Sequence, residues 1–246
     1  MNDDNRLIQT VLPRCLALLL ASGVGLAQGQ APAERVAALK QSMQESQARL
    51  RTYEWVETTA ISLKGEVKST KQNRCYYGAD GKVQKVPMGD APTETPPDPA
   101  GRGRRGSRVK AKVVENKKEE ISDYMKQAAA LVHKYVPPDP AKIQASKDAG
   151  KAKMTMVEPA KRARIEFADY VQPGDSLAIE INPQTNHLLA MQVASYLNSP
   201  DDTVRLNVQF ADLPDGTTYQ SSSTLDAPAK NVSVKIENSG HRPVGQ

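Results

Sequence analysis

The chain is short of cysteine, aromatic side chains and histidine, and each shortage removes a class of function. It has two cysteines in 246 residues, Cys15 and Cys75, and Cys15 lies in an N-terminal leader. The processed chain therefore keeps Cys75 alone and forms no intramolecular disulfide; Cys75 reads as a buried small hydrophobe or as an exposed thiol able to pair between chains. Aromatics make up 4% of the chain against 39% hydrophobic residues. The core must lean on Val, Leu, Ile and a few Tyr. The three histidines, His133, His187 and His241, show no metal-ligand spacing and have no cysteine partner, so neither a metal nor another cofactor is expected. The serine run Ser221-Ser222-Ser223 lacks the Gly-x-Ser-x-Gly elbow that exposes a nucleophile, and no glycine loop suited to cradling phosphate precedes an apolar helix. Asp201, Asp202, Asp212 and Asp215 cluster at turns and read as turn formers ahead of calcium ligands. Nothing in the sequence supports an enzyme.

What is present begins with an export signal. Arg6 and Arg14 make a basic start, an apolar run follows from Cys15 to Leu26, and Gly25 and Ala27 occupy the positions a signal peptidase inspects. Residues 1–27 therefore read as a signal peptide cut after Ala27, or else after Gly29. The run is about a dozen residues where a bilayer-spanning helix needs roughly 20, so no stable membrane anchor is expected. Cys15 precedes the leucines instead of following a cleavage box, which argues against lipid attachment. The mature protein is expected in the periplasm or outside the cell, as one domain over residues 28–246. Its charge is uneven: residues 28–164 carry +11, and residues from 165 onward carry −6. Much of the positive excess sits between Arg102 and Lys118. No aromatics interleave there and the compartment is wrong, so nucleic acid is not a partner and a solvated loop is the expectation.

The periodicity divides the chain in three. A helix is expected over 32–50, where Val36, Leu39, Met43 and Leu50 recur near helical spacing, then strands from Tyr53 to Leu63 and from Glu66 to Tyr77. Asp80-Gly81 turns the second strand into a third, from Lys82 to Val86. Residues 89–112 lack periodicity and read as a mobile Pro/Gly/Arg-rich insertion. A helical stripe through Ile121, Tyr124, Met125, Ala128, Leu131, Val132 and Tyr135 starts near Lys117 and stops at Pro137-Pro138; a short helix from Asp139 to Ala149 follows. Six alternating segments then run from Ile165 to Ile236, joined by short turns, and make an antiparallel meander. The fold class expected is α+β: a large curved antiparallel sheet, an unclosed barrel, with helices on its concave face.

This layout resembles that of the periplasmic lipoprotein carriers and their relatives, among them the outer-membrane lipoprotein receptor and the sensor that regulates an envelope-stress anti-sigma factor. It rests on the exported chain, the helix running through Arg49-Leu50-Arg51-Thr52-Tyr53 into strands, the Gly78-to-Lys82 hairpin, the helical lid and the meander. A closer resemblance is to uncharacterised exported bacterial proteins that carry, in order, Tyr135-Val136-Pro137-Pro138-Asp139-Pro140, Pro173-Gly174-Asp175-Ser176, Tyr196-Leu197, Leu213-Pro214-Asp215-Gly216-Thr217 and Asn238-Ser239-Gly240. No activity comes with those phrases, and each also reads as turn chemistry. The carrier resemblance implies a non-enzymatic binding protein that carries or senses a lipid or acylated ligand. The alternative is an envelope structural or interaction module with a protein partner and no small ligand. Under the first reading the ligand lies between the sheet and the helix of residues 117–136, lined from among Trp55, Ile61, Met125, Leu131, Ile179, Met191, Val193 and Leu206.

Overall fold

A computed structural model describes residues 32–89 and 104–245, with side chains over 41–89, 117 and 119–245. The leader and residues 90–103 of the expected insertion lie outside the described residues. Helix α1 (Pro32–Leu50) stops where the Thr52 hydroxyl donates to the Arg49 carbonyl, 2.8 Å away, and competes with the next helical turn. Strand β1 (Tyr53–Leu63) follows at once and turns into β2 (Glu66–Tyr77) through Lys64 and Gly65, both at positive φ, the tight hairpin turn whose twist matches that of the strands. The Asp80 carboxylate accepts the Lys82 amide at 3.0 Å and shapes the turn into β3 (Val83–Pro87).

Helix α2 (Arg104–Val132) begins thirteen residues before the expected start at Lys117, so residues 104–112 of the segment read as an aperiodic insertion have helical backbone. Charge had masked the pattern there, because Val109, Val113 and Val114 are too few among lysines and arginines to signal a stripe. Helix α3 (Pro140–Asp148) is capped by the Asp139 side chain, which accepts the Ala141 amide, and Gly150 at φ +69° leads out of it. Strand β4 (Ala152–Glu158) went unread in the sequence. It is an edge strand whose side chains stay largely in water, so it lacks the apolar alternation of a half-buried strand. The six segments of the meander appear as β5 (Arg162–Ala168), β6 (Ser176–Asn182), β7 (His187–Tyr196), β8 (Thr203–Asp212), β9 (Thr218–Ala227) and β10 (Val232–Pro243).

All ten strands form one antiparallel sheet in the order β3-β2-β1-β10-β9-β8-β7-β6-β5-β4. The last strand pairs with the first, and the sheet stays open, with β3 and β4 at opposite edges. Nine strand spacings, roughly 43 Å measured along the sheet, separate β3 from β4, and α2 and α3 lie in the connection between them.

Register explains the core. Ile61, Val234, Leu225, Leu206, Val193, Leu177, Phe167 and Ala152 are successive partners across eight strands, so their side chains share one face. Helix α2 packs on that face through Met125, Ala128, Leu131 and Val132, with Ala128 and Ala129 letting it approach closely. Arg164 and Glu180 face each other on the opposite side of the sheet, 3.0 Å apart. Cys75 is fully buried, and burial pushes its thiol up to about 12, so it is the small hydrophobe of the two readings and is unavailable for pairing between chains. Among the described residues, no helix is long and apolar enough to cross a membrane.

Candidate functional site

Beneath α1 the core does not close. Met43, Ser46, Gln47 and Leu50 of α1 face residues of β1, β2, β3, β7, β8, β9 and β10, and a cavity of about 160 Å³ lies between them. The chain contains one Trp, eight Tyr and two Phe. Four of these scarce side chains, Trp55, Tyr77, Phe210 and Tyr219, line this one space together with His241.

A bulge builds the aromatic wall. Glu54 pairs with Arg242 and Val56 with Ser239, leaving Gly240 and His241 opposite the single residue Trp55. Gly240 takes the extra residue at φ +64°, a left-handed conformation that favours glycine, and so gives the Asn238-Ser239-Gly240 phrase a structural reason. The His241 ring stacks on Trp55 (centroids 5.8 Å, planes 11° apart) and leans on Tyr219 at 4.1 Å. Tyr77 tilts against the indole at 5.7 Å. Trp55 Nε1–H donates to Asn238 Oδ1 at 3.1 Å, and Asn238 Nδ2 donates to the Gln220 carbonyl at 3.0 Å, which fixes the indole plane. Burial lowers the His241 pKa to about 4, so the imidazole is neutral at pH 7.

Among the described residues two formal charges line the cavity, Glu57 and Lys85; they pair with each other, and Glu57 has a further contact besides. They are not equally committed: the Glu57 side chain is 6% exposed, and that of Lys85, on the edge strand β3, is 21% exposed. The roof is held by polar contacts at one end. The Thr218 amide donates to the Ser46 hydroxyl at 3.1 Å, Arg49 donates to the Asp215 carbonyl at 2.9 Å, and the Tyr53 hydroxyl donates to the Asp215 carboxylate at 2.9 Å. Asp215 also accepts the Thr217 amide at 2.9 Å; that bond foremost holds its carboxyl below the usual range. The phrase Leu213 to Thr217 is thus the turn that receives the end of α1.

Of the residues expected to line a ligand site, Trp55 alone faces this cavity. Met125, Leu131, Ile179, Met191, Val193 and Leu206 are brought together as expected, but as packed members of the core between α2 and the sheet. Ile61 shares their face and is 39% exposed. Sequence reading missed Tyr77, Phe210, Tyr219, Asn238 and His241. The available signal was the single Trp followed by the alternation Val232, Val234, Ile236, which continues through Asn238 if β10 is extended past Ile236.

Other motifs resolve into structure. The Asp175 carboxylate is buried and accepts the amides of Tyr170 (2.6 Å) and Gln172 (2.7 Å) and the Tyr135 hydroxyl, whose other contact is Ser195 at 2.7 Å. That knot joins two of the recurring phrases. Burial and the bond to Asp175 raise the Tyr135 pKa, so its hydroxyl stays a donor. His187 Nδ1 stands 2.8 Å from Asp212, but the Thr218 hydroxyl beside them donates to the carboxylate, not to the imidazole, so the group lacks the nucleophile–base contact of a hydrolytic triad. Between α2 and the β7–β8 turn lies a polar cleft where the Tyr124 hydroxyl donates to Asp202 and Lys230 pairs with Glu120 at 2.9 Å.

No protein-family model matches the chain, and neither does any curated protein. Among solved structures it is similar to a DUF1329 family protein from Desulfovibrio piger, at 12% identity over 85% of this chain and 93% of that one, with a TM-score of 0.37. It is also similar to a chain of the Pseudomonas aeruginosa MucA/MucB complex, at 8% identity over 85% of this chain and all of that one, TM-score 0.22. A second structure of MucB with MucA gives 10% identity, 85% and 99% coverage, and a TM-score of 0.19. Likeness at this level bears on neither ligand nor partner.

Proposed function

We propose that this chain is an exported, non-enzymatic binding protein of the periplasm or the cell exterior, whose ligand places an apolar group beneath α1. The carrying observation is the cavity: an aromatic-walled space roofed by a helix, in a chain with few aromatics to spend elsewhere. Export rests on the leader read from residues 1–27. The size of the space bears on the ligand. An apolar cavity of roughly 150 Å³ suffices for benzene, so 160 Å³ takes one ring or a short branched alkyl group. A carrier or sensor of a full acyl chain would require α1 to move aside.

Trp55 is the one tryptophan and lies in the cavity wall, so its emission reports occupancy without a label. Toluene and 1-octanol, titrated into the full mature chain, should shift that emission with saturation, and native mass spectrometry of gently purified protein should show a retained apolar or amphiphilic molecule. Unchanged emission together with a bare native mass would overturn the reading. The interaction module would then take its place, with the open β4 edge and its exposed Met154, Met156 and Val157 as the surface a partner strand would join.

A further inference from the structure

We propose that the open edge of β4 takes a peptide strand from a partner protein, one that alternates apolar with acidic residues, as an eleventh strand of the sheet. The proposal stands whether or not the cavity beneath α1 takes a ligand.

The direction of the backbone groups carries the argument. The Ala168 amide donates to the Lys151 carbonyl at 3.0 Å, so Lys151 and, by alternation along the antiparallel ladder, Lys153 and Thr155 turn their backbone groups toward β5. Ala152, Met154 and Met156 therefore turn theirs out of the sheet, where no strand among the described residues pairs with them. This stretch is regular up to Met156, after which the register with β5 shifts. The other edge is guarded: β3 has five residues, carries Lys85 and closes on Pro87. Strand β4 contains no proline.

The same geometry sets the side chains an added strand needs. Met154 and Met156 pair with Ile165 and Ala163, both buried, so the two methionines lie on the core face of the sheet, where they are 50% and 40% exposed. Apolar residues opposite them would extend that face by one strand. The intervening residues of the added strand fall on the other face, beside Lys153 and Thr155. Lys151, Arg162 and Arg164 are matched by Asp169, Glu180 and Glu166, whereas Lys153 is exposed and makes no ion pair among the described residues. Its partner in β5 is Glu166, but that carboxylate is engaged by Arg164 at 3.5 Å. An acid opposite Lys153 on the open side completes the row. A second copy of β4 supplies none. Self-pairing must match residues 152, 154 and 156 with one another, which sets Lys153 opposite Lys151, Lys153, Thr155 or Val157.

The test uses a labelled heptapeptide of alternating Glu and Val, capped at both ends and titrated into the full mature chain by fluorescence anisotropy. It should bind, and the same peptide with Lys in place of Glu should bind at least about fivefold more weakly. Methylating the amides of the valines, which face β4, should weaken binding at least about tenfold, whereas methylating those of the glutamates, which face water, should leave it. Met154→Pro should abolish binding without costing a bond to β5, and Lys153→Glu should reverse the preference between the Glu and Lys peptides. Absence of binding, or equal effects of the two methylations, would overturn strand addition at this edge. Equal binding of the Glu and Lys peptides would overturn the acidic partner. A dimer in sedimentation velocity that Met154→Pro dissolves would put a second copy on the edge and overturn the proposal as well. The peptide comparisons on the wild type need no variant to fold.

Discussion

His241 is neutral because of where it sits: burial between Trp55 and Tyr219 disfavours the imidazolium, giving a pKa of about 4 against an ordinary 6.5. The sign of the consequence follows from proton counting. Between pH 6.5 and 4 the unfolded chain binds a proton at this residue and the native chain does not, so stability is full above about 6.5 and is lost progressively as pH falls toward 4. Because the ring keeps some contact with solvent, the loss is on the order of 1 kcal/mol and not the full value of the shift. Glu57 and Lys85, the charged side chains among the described residues that line the cavity, pair with each other. Melting temperatures measured at pH 7.5 and pH 4.5 should differ less in His241→Asn than in the wild type; equal differences would show that the ring is solvated. A histidine near the end of a chain is read as tail, and only the pairing of Glu54 with Arg242, 188 positions away, makes it a wall residue. That information is non-local, so no window of sequence contains it.

At the scale of elements, the two helices that cover the sheet differ in how they are fastened. Helix α2 places Tyr124, Met125, Ala128, Ala129, Leu131 and Val132 in the core, whereas residues 41–50, the part of α1 with described side chains, bury Ser46 and rest on partly covered Met43, Gln47 and Leu50 above a void. A helical segment with few buried apolar contacts opens locally at low cost. Backbone amides of residues 41–50 should therefore exchange with deuterium at least about tenfold faster than those of 124–132, and addition of octanol should slow them selectively. Equal protection of both helices without ligand would show that α1 is a fixed part of the core and no roof. Helix α1, β1 and the six strands of the meander were legible in the sequence because period and turn chemistry agreed there, as at Asp215-Gly216 and Lys64-Gly65. The first half of α2 and strand β4 were not. Charge in one case and solvent exposure on both sides in the other erased the periodic signal.

Taken whole, the molecule has a filled end and a hollow one on the same face of one sheet. Sequence alternation put Ile179, Met191, Val193 and Leu206 on one face, and the register has them together, but alternation could say neither whether that face is the inner one nor which stretch the helices press shut. The answer depends on side-chain size. Ala128 and Ala129 let α2 settle onto the sheet, while Trp55, Tyr219 and His241 on the other stretch are large rings that prop α1 away. Leu131 separates the two possible seats for a ligand. It is 6% exposed within the core, so Leu131→Asp buries a carboxylate among apolar side chains and should lower stability by about 4 kcal/mol or more, seen as an early denaturant midpoint by circular dichroism. Tyr219→Leu, in the cavity wall, should keep the wild-type midpoint to within about 1 kcal/mol and change instead the response of Trp55 to octanol. Were Leu131→Asp to fold normally and lose that response, the ligand would sit beneath α2, among the residues that the alternation first singled out, and the cavity beneath α1 would be a packing defect.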